Sequence, residues 1–190
     1  MGRAGLSVEV VTRAGADLAD DDGLETLTVS SLARRLEVKT PSLYTYVDGN
    51  ADLRLRVTAL ALDEAADLAT AAIASLSGRT ALAALADAWR EFARRHPGRY
   101  AATRQAVPSS GTDAAVAALG AGRRHADLLR NVLDHYPVAE GDTVHAVRLI
   151  GSVVHGFVSL ELGGGFAHSD PPSDDSWDYA LAALDRTLTR

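Results

Sequence analysis

The chain has 190 residues and a formal net charge of -6; 47% of it is hydrophobic, 23% charged and 5% aromatic. That is enough apolar material for one sizeable core or two small ones, which excludes a disordered chain. There is no cysteine, so a disulfide scaffold, a Cys-ligated zinc site, an iron–sulfur cluster and thiol catalysis are excluded. Taken as a total, the acidic balance points away from nucleic acid.

Residues 1–11 carry Arg3 and no apolar run of seven or more, so a cleaved secretion signal is not expected and a cytoplasmic location is. Alanine and leucine are abundant and Lys39 is the only lysine, a usage that favours helix. Apolar residues recur at three- and four-residue spacing without a period-2 run, so the chain reads as all-α.

The first helix is expected over 6–21, with Ser7 as N-cap, Val11, Ala14 and Leu18 on one face, and a stop at Asp20-Asp21-Asp22-Gly23. A second covers about 28–36. A third covers about 40–46, with Thr40 as N-cap and Pro41 at its first position. After Asp48-Gly49-Asn50 a long helix is expected over 51–76, carrying Leu53, Val57, Leu60 and Leu68 on one face. The next, over 80–96, aligns Leu82, Leu85, Trp89 and Phe92 and is closed by Pro97-Gly98. A short piece over 99–106 leads through Pro108-Ser109-Ser110-Gly111 to a helix over 113–135. A helix over 144–162 and a last one with Trp177, Leu181, Leu184 and Leu188 bring the count to about nine.

The stretch 144–162 is the longest apolar one, but Arg148, His155 and Glu161 interrupt it, so it reads as a buried helix and no membrane partner is expected. Being apolar nearly all round, it is expected to be covered by its own domain on one side and by a second subunit on the other.

Residues 29–47 have the pattern of a helix-turn-helix: Leu32, Leu36, Val38, Leu43 and Val47 hold two helices together, and Ala33 is the small residue at their closest approach. The outward face of the second helix would carry Thr40, Ser42, Tyr44 or Thr45, and Tyr46, whose hydroxyls and rings can meet phosphates, base edges and thymine methyls. Arg34, Arg35 and Lys39 add local positive charge. Residues 1–60 hold seven basic and nine acidic side chains, yet Asp17, Asp20, Asp21, Asp22 and Glu25 cluster in one place while 28–46 is locally basic. Over a Debye length of roughly 8 Å the local balance governs phosphate contact.

These residues resemble the TetR/AcrR family of transcriptional regulators: Val11, Ala14 and Leu18, the spacing of Gly23 to Leu27-Thr28-Val29, Leu32-Ala33 with Leu36-Glu37-Val38, and Leu43-Tyr44-Thr45-Tyr46-Val47 before Leu53. The segment His155-Gly156-Phe157-Val158-Ser159-Leu160-Glu161 is similar to the signature of the WHG C-terminal domain found in one subgroup. The resemblance implies a DNA-binding domain over 1–50 and a helical effector-binding and dimerisation domain over 51–190. It implies a homodimer that binds a palindromic double-stranded operator, most commonly as a repressor, and lets go when a small molecule binds. Thr28, Arg34, Lys39, Thr40, Pro41, Ser42, Tyr44, Thr45, Tyr46 and Asn50 are the expected DNA-binding residues.

Two positions depart from the family pattern. Glu37 stands where such a turn usually has glycine, and a positive φ there costs on the order of 1 kcal/mol. Asn50 stands where the family often has a phosphate-binding lysine, so Arg54 or Arg56 is expected to compensate.

Trp89, Phe92, Tyr100 and Arg104 on the central helices are candidate pocket residues, with simple core packing as the alternative for Trp89 and Phe92. Arg148, Ser152, His155 and Ser159 form one stripe, the first three being ligand candidates. His155 is either a satisfied core histidine or a pocket donor. Val147, Val154 and Val158 are expected at a dimer interface together with Trp177, Leu181, Leu184 and Leu188, and for the last four the core of one chain is the alternative.

No catalytic residue, metal or cofactor is expected. The chain has no Glu-x-x-His pair for a di-metal site, Gly163-Gly164-Gly165 follows a helix without Gly-Lys-Ser/Thr, and His155 and Glu161 do not share a face. The rival to a regulator is a helical ligand-binding or protein-interaction protein that has lost specific DNA binding.

Overall fold

The computed structural model describes residues 5–109, 111–168 and 170–189. Arg3 and Ser110, named above, lie outside the described residues. Among the described residues the regular elements are helical and none is a strand. They are α1 (Val8–Asp22), α2 (Val29–Arg35), a six-residue 3-10 helix (Thr40–Thr45), α3 (Gly49–Ile73), α4 (Gly78–Arg95), α5 (Pro97–Thr103), α6 (Asp113–Leu133), α7 (Thr143–Leu162) and α8 (Ser173–Leu188). Single 3-10 turns occupy Leu24–Thr26 and Glu140–Asp142. The all-α expectation and its helix count hold.

The chain packs as two compact units, Met1–Glu64 with Arg95–Arg123 and Ala65–Arg94 with Arg124–Arg190. In the first, Ser7 caps α1 by accepting the Val10 N–H, as its extended backbone allows. Gly15, rather than the half-buried Ala14, lies at the seam with α3: a Cβ there would stand 3.2 Å from Leu53 and 3.3 Å from Val57. Leu27, Leu32, Leu43 and Leu53 are fully buried, each stabilising the head by about 2 kcal/mol. Farther along α3 the inward positions pass to Ala61, Ala65 and Ala69, so Leu68, expected on that face, is exposed.

Pro97-Gly98 does not merely close α4. Pro97 opens α5, because its missing N–H and fixed φ suit a first helical position. Gly98 then sits against the end of α1, where a Cβ would fall 1.9 Å from the Ala19 carbonyl oxygen. Asp20 accepts the Arg99 backbone N–H at 2.8 Å, capping α5 from outside, and Thr58 donates to the Ala102 carbonyl at 3.2 Å. These contacts tie α5 to the N-terminal helices.

In the second unit the stripe Leu82, Leu85, Trp89 and Phe92 faces inward from α4, Ala146, Ile150, Val154 and Val158 from α7, and Trp177, Leu181, Leu184 and Leu188 from α8. Trp177 Nε1 donates to Asp87 at 2.6 Å and the Tyr136 hydroxyl to Asp185 at 2.8 Å. Burial and that carboxylate push the Tyr136 hydroxyl above the usual phenol range.

The two glycines Gly98 and Gly122 should respond oppositely to alanine. Gly98→Ala has no room and is expected to cost at least about 2 kcal/mol in urea unfolding. Gly122→Ala, whose Cβ would meet nothing within 4 Å on α6, should stabilise by roughly 0.5–1 kcal/mol.

Candidate nucleic-acid interface

The head is built around two caps. Thr28 accepts the Ser31 N–H while Ser31 accepts the Thr28 N–H, a reciprocal cap that starts α2, and Asn50 Oδ1 accepts the Val29 N–H at 2.8 Å. At the other end, Val38 N–H bonds the Ala33 carbonyl and Glu37 N–H the Arg34 carbonyl, with Glu37 at φ 54. This is the helix stop that glycine fills most readily, and Glu37 occupies it in the left-handed region as the sequence implied.

The following element is a 3-10 helix, not an α-helix, and Lys39 rather than Thr40 holds its N-cap position, without a side-chain cap bond. A three-residue period puts Thr40, Leu43 and Tyr46 on one side. Leu43 is fully buried and Thr40 and Tyr46 are half-buried, so these two leave the outward face they were expected to share. Pro41, Ser42, Tyr44 and Thr45 point to solvent, Tyr44 with 59% of its surface exposed.

Asp17, Asp20 and Asp21 of the acidic cluster turn out to be partnered. Arg99 is 7% exposed; its guanidinium bonds Asp17, lies 3.1 Å from Asp20 and 3.4 Å from Glu64. His96 Nδ1 is 3.0 Å from Asp20, and Arg35 pairs with Asp21 at 2.6 Å. Arg34 and Lys39 remain exposed beside the 3-10 helix. Arg54 and Arg56, expected to compensate for Asn50, both make bonds within the chain. Arg54 donates to the Leu27 and Glu25 carbonyls at 3.2 and 2.9 Å, and Arg56 to the buried Asp52 at 2.7 Å.

The expected sensing residues fall in different places. Trp89 and Phe92 are buried in the second unit, whereas Tyr100 is buried in the first and Arg104 is exposed there. Arg148 and Ser152 are exposed on the outer face of α7 and so do not line a core pocket. His155 stacks on Trp89 with ring centroids 5.9 Å apart, and His125, not anticipated, does so at 5.1 Å. Trp89 Nε1 is buried with no acceptor among the described residues. Val154, Val158, Trp177, Leu181, Leu184 and Leu188 are buried within one chain, which corrects their placement at a dimer interface; Val147 is half-buried.

What the sequence did not reveal is the buried Arg90. It donates to both oxygens of Glu161 and to Asp174 at 2.8 Å, and lies over the rings of Trp177 and Phe157 at 4.9 and 5.5 Å. Arg94 donates to Glu161 at 2.9 Å. Through this group α4 holds α7 and α8, and the segment 155–161 acquires a physical meaning. His155 meets Trp89, while Phe157 and Glu161, one turn apart, enclose Arg90. The hydrogen bond from Arg90 holds the Glu161 carboxyl at about 2.

The profile of the tetracyclin repressor-like C-terminal domain matches residues 82–184, a span that contains 155–161 and names no subgroup. An uncharacterized HTH-type transcriptional regulator of Mycobacterium tuberculosis (strain ATCC 25618 / H37Rv) is 34% identical over 161 residues, 85% of this chain and 72% of that protein. Among solved structures, a protein of unknown function from Rhodococcus sp. RHA1 matches with TM-score 0.78 at 18% identity, over 99% of this chain and 98% of that one. BioQ with its double-stranded DNA operator matches with TM-score 0.64 at 22% identity, over 97% and 99%. A TetR variant from Acinetobacter baumannii AYE in complex with minocycline matches with TM-score 0.70 at 20% identity, over 96% of each chain. The fold and head thus define a helix-turn-helix transcriptional regulator. The chain belongs to the TetR family.

Because the Glu161 carboxyl titrates near 2 in the folded chain and near 4.5 when unfolded, its contribution is complete above about pH 4.5 and is lost as pH falls toward 2. Its size is on the order of 2–3 kcal/mol. Glu161→Gln should therefore be less stable than the parent at pH 7, and in denaturant titrations the gap should narrow below about pH 4.5 and close only at or below about pH 2.

Proposed function

We propose that this regulator is a ligand-responsive repressor that binds a palindromic operator as a dimer. Residues 1–50 read DNA, and residues 51–190 sense the effector and dimerise. The observation that carries this reading is the charge arrangement of the head. Arg99, His96 and Arg35 engage the acidic cluster, and Arg34 and Lys39 stay exposed beside the outward Ser42, Tyr44 and Thr45. Arg34 and Lys39 suit backbone phosphates, and the hydroxyls suit base edges. Asn50, with its oxygen held by α2, presents its NH2 to a phosphate. The BioQ complex with operator DNA supports the same use of a related fold.

The effector site is placed around Trp89, whose buried N–H wants an acceptor that a bound molecule would supply. The minocycline complex of a TetR relative supports a sensing role for this half of the fold. Effector binding would shift α3, change the separation of the two 3-10 helices from about 34 Å, one turn of DNA, and release the operator. Such a regulator works in the cytoplasm, and its role is regulatory rather than catalytic.

The dimer is assigned to the outer face of α7. The stretch Glu140–Leu162 is long and apolar enough to cross a membrane by composition alone, and 22% of its most apolar window is buried in the chain. Leu149, Ser152, Gly156 and Leu160 share the exposed face, and a Cβ on Gly156 would meet nothing within 4 Å. A second copy packed there covers this face, and the WHG-like segment then lies between Trp89 and the partner.

Recovery of genomic DNA on the purified protein, followed by sequencing, tests the reading: an enriched inverted repeat is expected, whereas uniform recovery points to a helical binding protein without operator specificity. Leu149→Glu should give monomers in sedimentation and weaken operator binding by at least about tenfold, or 1.4 kcal/mol.

A further inference from the structure

A groove of about 400 Å³ lies inside the first unit, between the first turns of α3 and the segment that follows α5. Asn50, Arg54 and Thr58 line one side and Gln105 the other, with Leu55 and Pro108 as apolar walls. Arg54 is the charged residue of this lining. Its guanidinium is held in place by bonds from Nε and Nη2 to two main-chain carbonyls, those of Leu27 and Glu25. Neutral carbonyls fix its orientation without cancelling its charge. The carboxylate within reach, Glu25, lies 3.9 Å from Nη1, beyond a hydrogen bond, and its side chain is 86% exposed, so it is a weak counter-charge. Nη1 is thus outside hydrogen-bond range of that carboxylate, and a guanidinium fixed in orientation in this way is what a carboxylate ligand recognises. The apolar walls and the side-chain amides of Asn50 and Gln105 accommodate the rest of a compact molecule.

We propose that this groove binds a small organic carboxylate with a compact apolar body, separate from the effector site assigned around Trp89. The carboxylate accepts from Arg54 Nη1, the Asn50 NH2 turns to it as a donor, and the apolar body lies between Leu55 and Pro108. Its position gives it leverage. Asn50 caps α2 and Thr58 joins α3 to α5, so an occupant touches both ends of the scaffold that holds the 3-10 helix. Binding goes beyond the operator-binding reading; the two share the Asn50 NH2, and the test below needs no DNA.

The test is a benzoate titration of the full isotope-labelled chain followed by NMR. Saturable shifts at Asn50, the Arg54 Nε–H and Gln105, with half-saturation on the order of 1 mM, are expected. Benzamide, of the same shape without the charge, should bind at least about tenfold more weakly. Ala106→Phe fills the groove from an exposed position and should abolish the benzoate shifts while leaving the melting temperature of the free chain unchanged. Shifts that fail to saturate by about 20 mM, equal binding of benzamide, or undiminished benzoate binding by the Ala106→Phe chain would overturn the proposal.

Discussion

The carbonyl of Ala19 and the α-carbon of Gly98 meet so closely that no side chain fits between them, and the organisation of the head follows from that approach. It brings the end of α1 against the start of α5, so that Asp20 caps α5 and Arg99 reaches Asp17, Asp20 and Glu64. An arginine this buried keeps its charge and demands partners, and the acidic cluster supplies them. Asp17 and Asp20, part of a segment that looks repellent to DNA in the sequence, are therefore the counter-charge of a buried arginine. The exposed Arg34 and Lys39 then set the local field at the 3-10 helix.

The second unit repeats the device with different neighbours. Arg90, buried on α4, draws Glu161 from α7 and Asp174 from α8 and is flanked by two aromatic rings. Replacing the whole group by apolar residues of similar volume would change net stability little, because desolvation offsets most of the attraction, whereas removing one member is costly. The group contributes more to geometry, since only one packing of α7 and α8 on α4 satisfies the guanidinium. Trp89 occupies the adjacent position, stacked with histidines of α6 and α7, so the residue assigned to effector sensing is one step from the residue that sets helix placement.

Local signals carried well from sequence to structure. The Ser7 cap, the helix-turn-helix spacing and the positive φ of Glu37 depend on residues within a few positions of one another, and so a linear reading finds them. The inward stripes of α4 and α8 were equally visible, but periodicity says that a face is covered without saying by what. That is why Trp177, Leu181, Leu184 and Leu188 fitted an interface and a core alike. The 3-10 form of Thr40–Thr45 turned on a difference of 3.0 against 3.6 residues per turn over six residues, too short a stretch to discriminate. Glu161 and Asp174, partners of Arg90, and Asp17 and Asp20, partners of Arg99, lie 71 to 84 residues away in the chain, beyond any local pattern. Pro97-Gly98 reads as a stop because the proline and glycine preferences describe helix ends in general, while the close approach to Ala19 is a tertiary fact.

A chain of net charge -6 thus carries a locally cationic head. The most direct measurement is the salt dependence of its affinity for a specific recovered DNA site. With Arg34 and Lys39 of both protomers neutralising phosphates, log K should fall against log salt with a slope of roughly -3 to -4. A slope near zero, or affinity that rises with salt as screening relieves repulsion, would contradict the account.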